Sequence, residues 1–334
     1  MLSRKEIALR AGVSKTTVTR VLAGDETVLP ENRKKIMQIV EDSGYTRNVL
    51  AANLAKNKRS TAVAMLVPDM TNYYYMQMFN EMVSCARKYG YTIMIYSIST
   101  DTLDEVVNEV VGNRVCGIVN LGLDSISEDS LKKVRAAGIR MIYPGWPEDE
   151  FYQFHTDYGK GMAEAIAALK EGGAEKVCFL FGTKQRLLQD GRLKAFLKYG
   201  KEFGFFVSEE DIFFGEYTDR SALDEGYRSA KELFKDGIRY DAMFCLNDMM
   251  AYGAICGIRD CGFKVPQDVS VIGFDNTLLD RYMTPTLSTI GSSLRDEAEG
   301  YIQYIAGVSD RSRMETQAVF YPRGSIRKKK GNKQ

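Results

Sequence analysis

Two cations and two hydroxyls near the start of the chain, Lys15, Thr16, Thr19 and Arg20, have the types and spacing to do chemistry. On a helix these four residues share one face, and no carboxylate lies among them. Arginine can donate to both O6 and N7 of guanine, and threonine offers a hydroxyl and a methyl group to base edges. The set therefore suits a surface that recognises nucleic acid.

The helix that must carry this face contains Val18, Val21 and Leu22, which have the i, i+3, i+4 spacing of a buried stripe. Gly12 allows a sharp turn before it. An earlier helix is predicted over Ser3–Arg10, because Ser3 precedes a glutamate by three residues, the capping-box spacing. This pattern is typical of a helix-turn-helix that enters the DNA major groove. An ordinary helical hairpin with a solvated face shows the same pattern.

Charge is distributed unevenly along the 334 residues, although the formal net charge is only +1. Residues 1–60 carry 12 Lys/Arg and 6 Asp/Glu, residues 61–322 carry 27 and 38, and residues 323–334 carry 6 and none. A basic head on an acidic body indicates a polyanionic partner for the head alone. A hydrophobic content of 45% supports a sizeable core.

Several function classes are disfavoured by what the sequence lacks. It has no secretory signal and no apolar run of about 20 residues, so we expect a cytoplasmic protein without membrane contact. His155 is the one histidine, and neither a Gly-x-Ser-x-Gly motif nor a phosphate-binding loop is present, so we expect no enzyme, cofactor or metal. The scattered cysteines are expected to be buried free thiols: Cys85, Cys116, Cys178, Cys245, Cys256 and Cys261.

Strand-like and helix-like segments alternate after residue 60, which predicts parallel, doubly wound sheets in two lobes with a ligand cleft between them. The predicted strands are Ala62–Val67, Tyr91–Tyr96, Val115–Leu121, Lys176–Phe181, Ala242–Leu246 and Val269–Phe274. The predicted helices include a segment that ends at Tyr89 and the stretches Leu103–Val111, Met162–Lys170, Arg192–Phe203, Ser221–Lys235 and Met249–Cys261. In the head, a third helix is predicted over Pro30–Ser43 and a short, alanine-rich helix over Val49–Asn57.

Several motifs in order along the chain resemble those of the lactose-repressor (LacI/GalR) family of bacterial transcription regulators. They are Ala11-Gly12-Val13-Ser14, Thr17-Val18-Thr19-Arg20-Val21-Leu22, Gly44-Tyr45, Pro68-Asp69, Asn247-Asp248, residues 266–275 and Arg323-Gly324-Ser325. The resemblance implies an all-α helix-turn-helix domain joined to an α/β periplasmic-binding-protein-like core of two doubly wound parallel-sheet lobes. It also implies a homodimer on a pseudo-palindromic operator. No tetramerisation helix follows Ser325, so a dimer is expected.

The implied boundaries are a DNA-binding domain over 1–46, a hinge helix and linker over 47–60, a core over 61–325 and a basic tail over 326–334. One lobe would comprise 61–157 with 290–317, and the other 158–289 with 318–325. The chain would cross between lobes near Asp157, Thr289 and Gln317.

The same resemblance assigns DNA contacts residue by residue. Lys15, Thr16 and Arg20 would recognise base edges, whereas Thr17, Thr19 and the amides near Ser14 would contact phosphate. Asn48 would begin the hinge helix, and Leu54 would wedge between base pairs in the minor groove.

The resemblance also places an effector, most simply a sugar or sugar derivative, between the lobes. Arg192, Asn247, Asp248 and Asp275 match the family's effector-binding positions, and charged groups there can bind hydroxyls. Asp275 could instead cap a helix, and Asp248 could pair with a structural cation. The aromatic residues Tyr73, Tyr74 and Trp146, in loops after predicted strands, could stack on a sugar ring, or Trp146 could belong to the core.

Overall fold

The computed structural model describes residues 2–45, 60–122, 125–144, 152–182, 190–205, 207–215, 221–309 and 313–328. The chain divides into two compact units, residues 1–60 and 61–334. The predicted hinge helix, its residues Asn48 and Leu54, and Trp146 all lie outside the described residues.

The first unit contains three short helices, α1 (Arg4–Ala11), α2 (Lys15–Leu22) and α3 (Pro30–Asp42). The predicted capping box begins α1: the Glu6 amide donates to Ser3 Oγ, and the Ser3 amide donates to Glu6 Oε2 at 2.6 Å. Gly12 ends α1 with φ 67°, which glycine adopts without strain. The three helices bury a small shared core that includes Ile7, Val18 and Ile36.

The second unit contains two six-stranded sheets that divide it into a first and a second lobe. In spatial order, the strands of the first lobe are β11 (Arg313–Gln317), β5 (Tyr152–Asp157), β4 (Arg140–Pro144), β3 (Gly117–Asn120), β1 (Ala62–Val67) and β2 (Thr92–Ser97). Those of the second lobe are β12 (Val319–Tyr321), β10 (Ser288–Gly291), β9 (Ser270–Phe274), β8 (Ala242–Cys245), β6 (Val177–Phe181) and β7 (Ile212–Phe214). Every pairing is parallel except that of β12 with β10. The predicted fold class is therefore confirmed, and carboxyl ends of neighbouring strands meet at one edge of each sheet.

The helices of the first lobe are α4 (Tyr73–Arg87), α5 (Leu103–Gly112), α6 (Glu128–Ala136) and α11 (Leu294–Ala306). Those of the second lobe are α7 (Gly159–Glu171), α8 (Gly191–Glu202), α9 (Ala222–Phe234) and α10 (Asp248–Asp260), with 3₁₀ turns at Glu209–Asp211 and Leu278–Arg281.

The chain passes between the two sheets three times, after β5, after β10 and after β11. Helix α11 follows β10 and packs on α4 of the first lobe. The two lobes are also joined by a direct bond, in which the Leu278 amide donates to Gln77 Oε1 at 2.7 Å. The segments that follow β9 and β10 therefore connect the second lobe to the first. A conformational change in these segments can alter the relative position of the two lobes.

Two sequence-based expectations need correction. Cys256 is exposed although its neighbours Ile255 and Gly257 are buried, so it lies on the solvent face of α10, and Cys261, the residue after this helix, is half-buried; the other four cysteines are buried as expected. Tyr73 and Tyr74 begin helix α4, where Asn72 caps the Tyr74 amide at 3.0 Å, so they do not lie in a loop. None of the described helices is both long and apolar enough to cross a membrane.

Candidate functional site

Helix α2 presents the predicted polar face to solvent. Lys15, Thr16 and Arg20 are exposed, while Val18 and Val21 on the opposite face are buried. Ser14 caps the helix, since its Oγ accepts from the Thr17 amide at 3.0 Å and also contacts the Thr17 hydroxyl. A capped helix with exposed cations in its first and last turns has the shape and charge to enter a groove of DNA.

The Arg20 guanidinium is already engaged by a carboxylate from the turn after α2. Its Nε donates to Asp25 Oδ2 at 2.8 Å, and its Nη2 donates to the Thr27 hydroxyl. Hydrogen bonds from Thr27 and from Arg20 hold the pKa of Asp25 below its usual range. Because α2 itself has no carboxylate, only the fold reveals this pair. Arg20 must exchange Asp25 for a base edge if it is to recognise DNA.

In the core, Arg192 begins α8 at the carboxyl edge of the second sheet and is held on three sides. Its Nη2 and Nε donate to Asp190 at 2.6 and 3.0 Å, and its Nη1 donates to the Leu246 carbonyl at 2.9 Å. The guanidinium carbon lies 6.0 and 5.9 Å from the ring centroids of Tyr158 and Phe274. Burial opposes ionisation of Asp190, but Arg192 outweighs it and keeps the pKa of that carboxyl low. Arg192 is therefore fixed in one orientation.

Asp275 follows β9 in a strained backbone conformation, with φ 118°, which non-glycine residues rarely adopt. Its amide donates to the Ile290 carbonyl at 2.9 Å, which holds the strained residue in place. Burial raises the pKa of the Asp275 carboxyl, Arg192 opposes that shift, and Asp280 and Glu297 reinforce it. A strained, half-buried acid at a strand end is a typical feature of a binding site.

Asn247 and Asp248 support this edge from within the protein. Asn247 Oδ1 caps α10 by accepting from the Met250 amide at 2.8 Å. Asp248 is fully buried; its Oδ2 accepts from the Thr277 amide at 3.0 Å and its Oδ1 from the Thr289 hydroxyl at 2.6 Å. Burial raises the pKa of Asp248, and so do the neighbouring acids. Both oxygens serve the protein's own donors, so Asp248 fixes the ends of β9 and β10.

Two buried polar residues of the first lobe, Asn120 and Glu297, were not predicted from the sequence. Asn120 ends β3, and its buried Nδ2 has no hydrogen-bond partner among the described residues. Glu297 lies near the start of α11, is 1% exposed, and accepts from the Ser292 hydroxyl through Oε1. A polar residue at the end of an apolar strand could have pointed to Asn120. No local pattern distinguishes Glu297 from the other acids of α11.

Burial raises the pKa of Glu297 to about 7, against bonds from Ser292 and Tyr74 that lower it. Its value in the unfolded chain lies near 4.5, so between these two pH values the folded state retains a proton that the unfolded state has lost. Glu297 therefore lowers the free energy of unfolding as pH rises through this window, by roughly 3 kcal/mol in total.

We expect E297Q to remove this part of the pH dependence, because the amide stays neutral. Urea unfolding at about pH 5 and about pH 8 should show a smaller loss of stability in the variant than in the wild type. E299Q is the matched control, since Glu299 on the same helix is partly exposed and lies 3.6 Å from Lys88. Equal losses in E297Q and wild type would contradict the assignment.

Comparison with known proteins identifies related sequences for both units. The sequence pattern of the bacterial regulatory proteins of the lacI family matches residues 4–48. The pattern of the periplasmic binding protein-like domain matches residues 166–326. Catabolite control protein A of Priestia megaterium is 28% identical over 296 residues, 87% of each chain.

Solved structures share the fold. The lac repressor dimer bound to operator and the anti-inducer ONPF has a TM-score of 0.78 at 20% identity, over 97% of this chain and 98% of the repressor chain. The complex of the transcriptional regulator CelR with cellobiose has a TM-score of 0.68 at 21% identity, over 97% and 100% of the two chains. With both sequence patterns matched in order and the fold in agreement, the chain belongs to the lacI family of bacterial regulatory proteins, which are DNA-binding transcriptional regulators.

Proposed function

We propose that this regulator is a repressor whose operator affinity is controlled by a small-molecule effector, a sugar or sugar derivative, bound between the two lobes. The observation that carries the proposal is the arrangement of Arg192 and Asp275. An oriented guanidinium and a side-chain carboxylate on a strained backbone lie together where the strands of a parallel sheet end. Such groups bind hydroxyls through charge-assisted hydrogen bonds. The CelR complex, which has the same fold, holds cellobiose.

The effector site we propose comprises two kinds of residue. Arg192 and Asp275 would contact the ligand, Tyr73 and Tyr74 would border it at the start of α4, and Trp146 stays a proposed contact. Asn247 and Asp248 would act by positioning, because their side-chain oxygens cap α10 and bind the ends of the neighbouring strands.

On the DNA side, we propose base contacts by Lys15, Thr16 and Arg20, and phosphate contacts by Thr17, Thr19 and the amides near Ser14. Asn48 and Leu54 stay proposed contacts of the hinge. The proposed division of the chain is a head over 1–46, a hinge over 47–60, a core over 61–325 and a tail over 326–334.

The active form we propose is a homodimer on a pseudo-palindromic operator, as the two-fold symmetry of such sites requires. Exposed apolar side chains concentrate in one segment after β9, where Leu278 is 46%, Tyr282 75% and Met283 41% exposed. A second copy of the chain is the partner that would cover them.

The experiment selects binding sites for the full-length protein from a pool of random duplexes. We expect one pseudo-palindromic sequence to be enriched. The affinity of the protein for it should fall steeply as salt rises, because binding by Lys and Arg releases counterions from the phosphates and this release becomes less favourable at high salt. Adding sugars and sugar derivatives one at a time, amino sugars included, should then release the duplex for at least one compound. Enrichment of no sequence would contradict the operator proposal, and release by no compound would contradict control by a sugar.

A further inference from the structure

Glu297 presents a buried acceptor that the protein leaves unsatisfied. Its Oε1 accepts from the Ser292 hydroxyl, but its Oε2 is buried and has no hydrogen bond of normal geometry among the described residues. The Tyr74 hydroxyl interacts with this carboxylate without such geometry. Leaving a buried carboxylate oxygen without a donor destabilises the folded protein. Such an atom is explained if a molecule from outside supplies the donor.

Backbone contacts place this carboxylate beside the proposed effector site. The Ile290 carbonyl accepts from the Asp275 amide, and an added Cβ on Gly291 would lie 2.8 Å from the Asp275 carbonyl oxygen. Ser292, the next residue, holds Glu297. The segment 290–292 therefore runs against Asp275 on one side and binds the Glu297 carboxylate on the other.

Tyr74 interacts electrostatically with both acids. Its hydroxyl lies beside Glu297, and the charges of Glu297 and Asp275 both add to the burial that raises the pKa of Tyr74. Glu297 raises the pKa of Tyr158 in the second lobe in the same way. Ser292 directly follows the carboxyl end of β10, so the carboxylate that it binds lies at the same edge of the second sheet as Asp275.

The described groups that surround the Glu297 carboxylate provide no cation to balance it. Those with an electrostatic effect on it or from it are Tyr74 of α4, Asp296 on its own helix, and Tyr158 and Asp275 of the second lobe. Arg192 lowers the pKa of Asp275, but its guanidinium is bound by Asp190 through two nitrogens. Asp280 has its own partner, Arg323.

We propose that the effector carries a cationic amino group, which binds between Glu297 Oε2 and the Asp275 carboxylate. This inference rests on the proposed function, since it names the chemical class of the ligand for the same cleft. An ammonium group offers three donors and one positive charge, so it can satisfy the free oxygen and balance both acids at once. A neutral sugar can supply the donor, but it cannot stabilise the ionised form of either acid against the burial that raises their pKa values.

The test compares amino sugars with matched neutral compounds. Thermal unfolding of the full-length protein is followed with glucosamine, galactosamine and mannosamine, with their parent sugars, and with their N-acetyl derivatives, all at equal concentration. We expect at least one amino sugar to raise Tm by about 5 °C or more, and its parent and N-acetyl counterparts to raise it clearly less.

Two glutamine variants locate the charge. In E297Q the preference for the amino sugar over its parent should fall by about tenfold or more in Kd, because a charged partner is lost. E299Q, which removes the same charge from a partly exposed position on the same helix, should keep the wild-type preference.

Three results would overturn the proposal: parent sugars that stabilise the wild type as much as the amino sugars, a preference unchanged in E297Q, or no response to any amino sugar. Binding of a neutral sugar alone would leave effector control of the cleft intact and reject only the amino group. Restoration of the preference in E297D would support a role for the carboxylate charge itself.

Discussion

Replacing Arg20 by alanine should weaken operator binding by about 2–6 kcal/mol for the two copies in a dimer, because each bidentate contact to guanine contributes about 1–3 kcal/mol of discrimination. The loss should be confined to the selected operator, and the preference at one symmetric pair of positions should relax. The head should remain folded, since Asp25 keeps the Thr27 amide, 2.9 Å from its Oδ1, and the Thr27 hydroxyl as donors.

The measurement is a titration of the selected operator and of single-base variants with wild type and R20A at one salt concentration. K35A is the matched control, because Lys35 is an exposed cation on α3 and its loss should lower affinity equally for every sequence. A uniform loss in R20A would contradict the base contact. D25N should instead tighten operator binding slightly, since it removes the exposed carboxylate that competes for Arg20.

The head shows how much short-range signals in the sequence predict. The capping box of Ser3 and Glu6, the left-handed glycine at Gly12 and the stripe of Val18 and Val21 act over a few residues, and the structure has all of them. The Arg20–Asp25 pair was not predicted, although it spans only five residues. It depends on how the turn after α2 folds back, and no helical periodicity describes a turn.

In the core, five of the six predicted strands are buried on both faces, and the sixth, β2, is partly exposed. Strands β1, β6, β8 and β9 form apolar runs, because helices cover both sides of a parallel sheet. The prediction missed β4, β5, β7, β10, β11 and β12; of these, β5 and β11 have the largely polar sequences YQFHTD and RMETQ. These two strands pair at the edge of the first sheet, where sheet pairing rather than apolar sequence determines the strand.

Residues of the candidate site also differ in whether the sequence predicts their position. The family resemblance assigned Arg192 and Asp275 to the effector site, and both follow predicted strands or begin predicted helices, as residues at the carboxyl edge of a parallel sheet do. Glu297 reaches the cleft only because α11 returns to the first lobe after β10, which is a property of topology. The burial of Asp248 behind Thr277 and Thr289 is likewise a tertiary feature, and it changes the proposed role of that residue from contact to support.

Replacing Asp275 by asparagine should abolish the response of operator binding to effector while leaving operator affinity without effector nearly unchanged. Asparagine suits this test better than alanine, because it keeps the shape of the aspartate side chain and, like aspartate, adopts positive φ more readily than most residues. Loss of the carboxylate removes a buried, charged ligand contact, which costs about 2–5 kcal/mol of effector affinity. The backbone bond from residue 275 to the Ile290 carbonyl is retained.

The reason for a complete loss lies in how the lobes are connected. Asp275 precedes the 3₁₀ turn whose Leu278 amide bonds Gln77 of the first lobe, and it contacts the segment that crosses between lobes after β10. A ligand held at Asp275 therefore changes the relative free energies of different lobe arrangements, a coupling of about 1–3 kcal/mol that is reciprocal between effector and operator. Operator titrations with and without the effector should show this coupling in wild type and in D236N, which makes the same change at an exposed residue of the second lobe. D275N should show equal operator affinity in both conditions. A full response in D275N would remove Asp275 from the effector site, whereas loss of operator binding in both conditions would assign it a structural role.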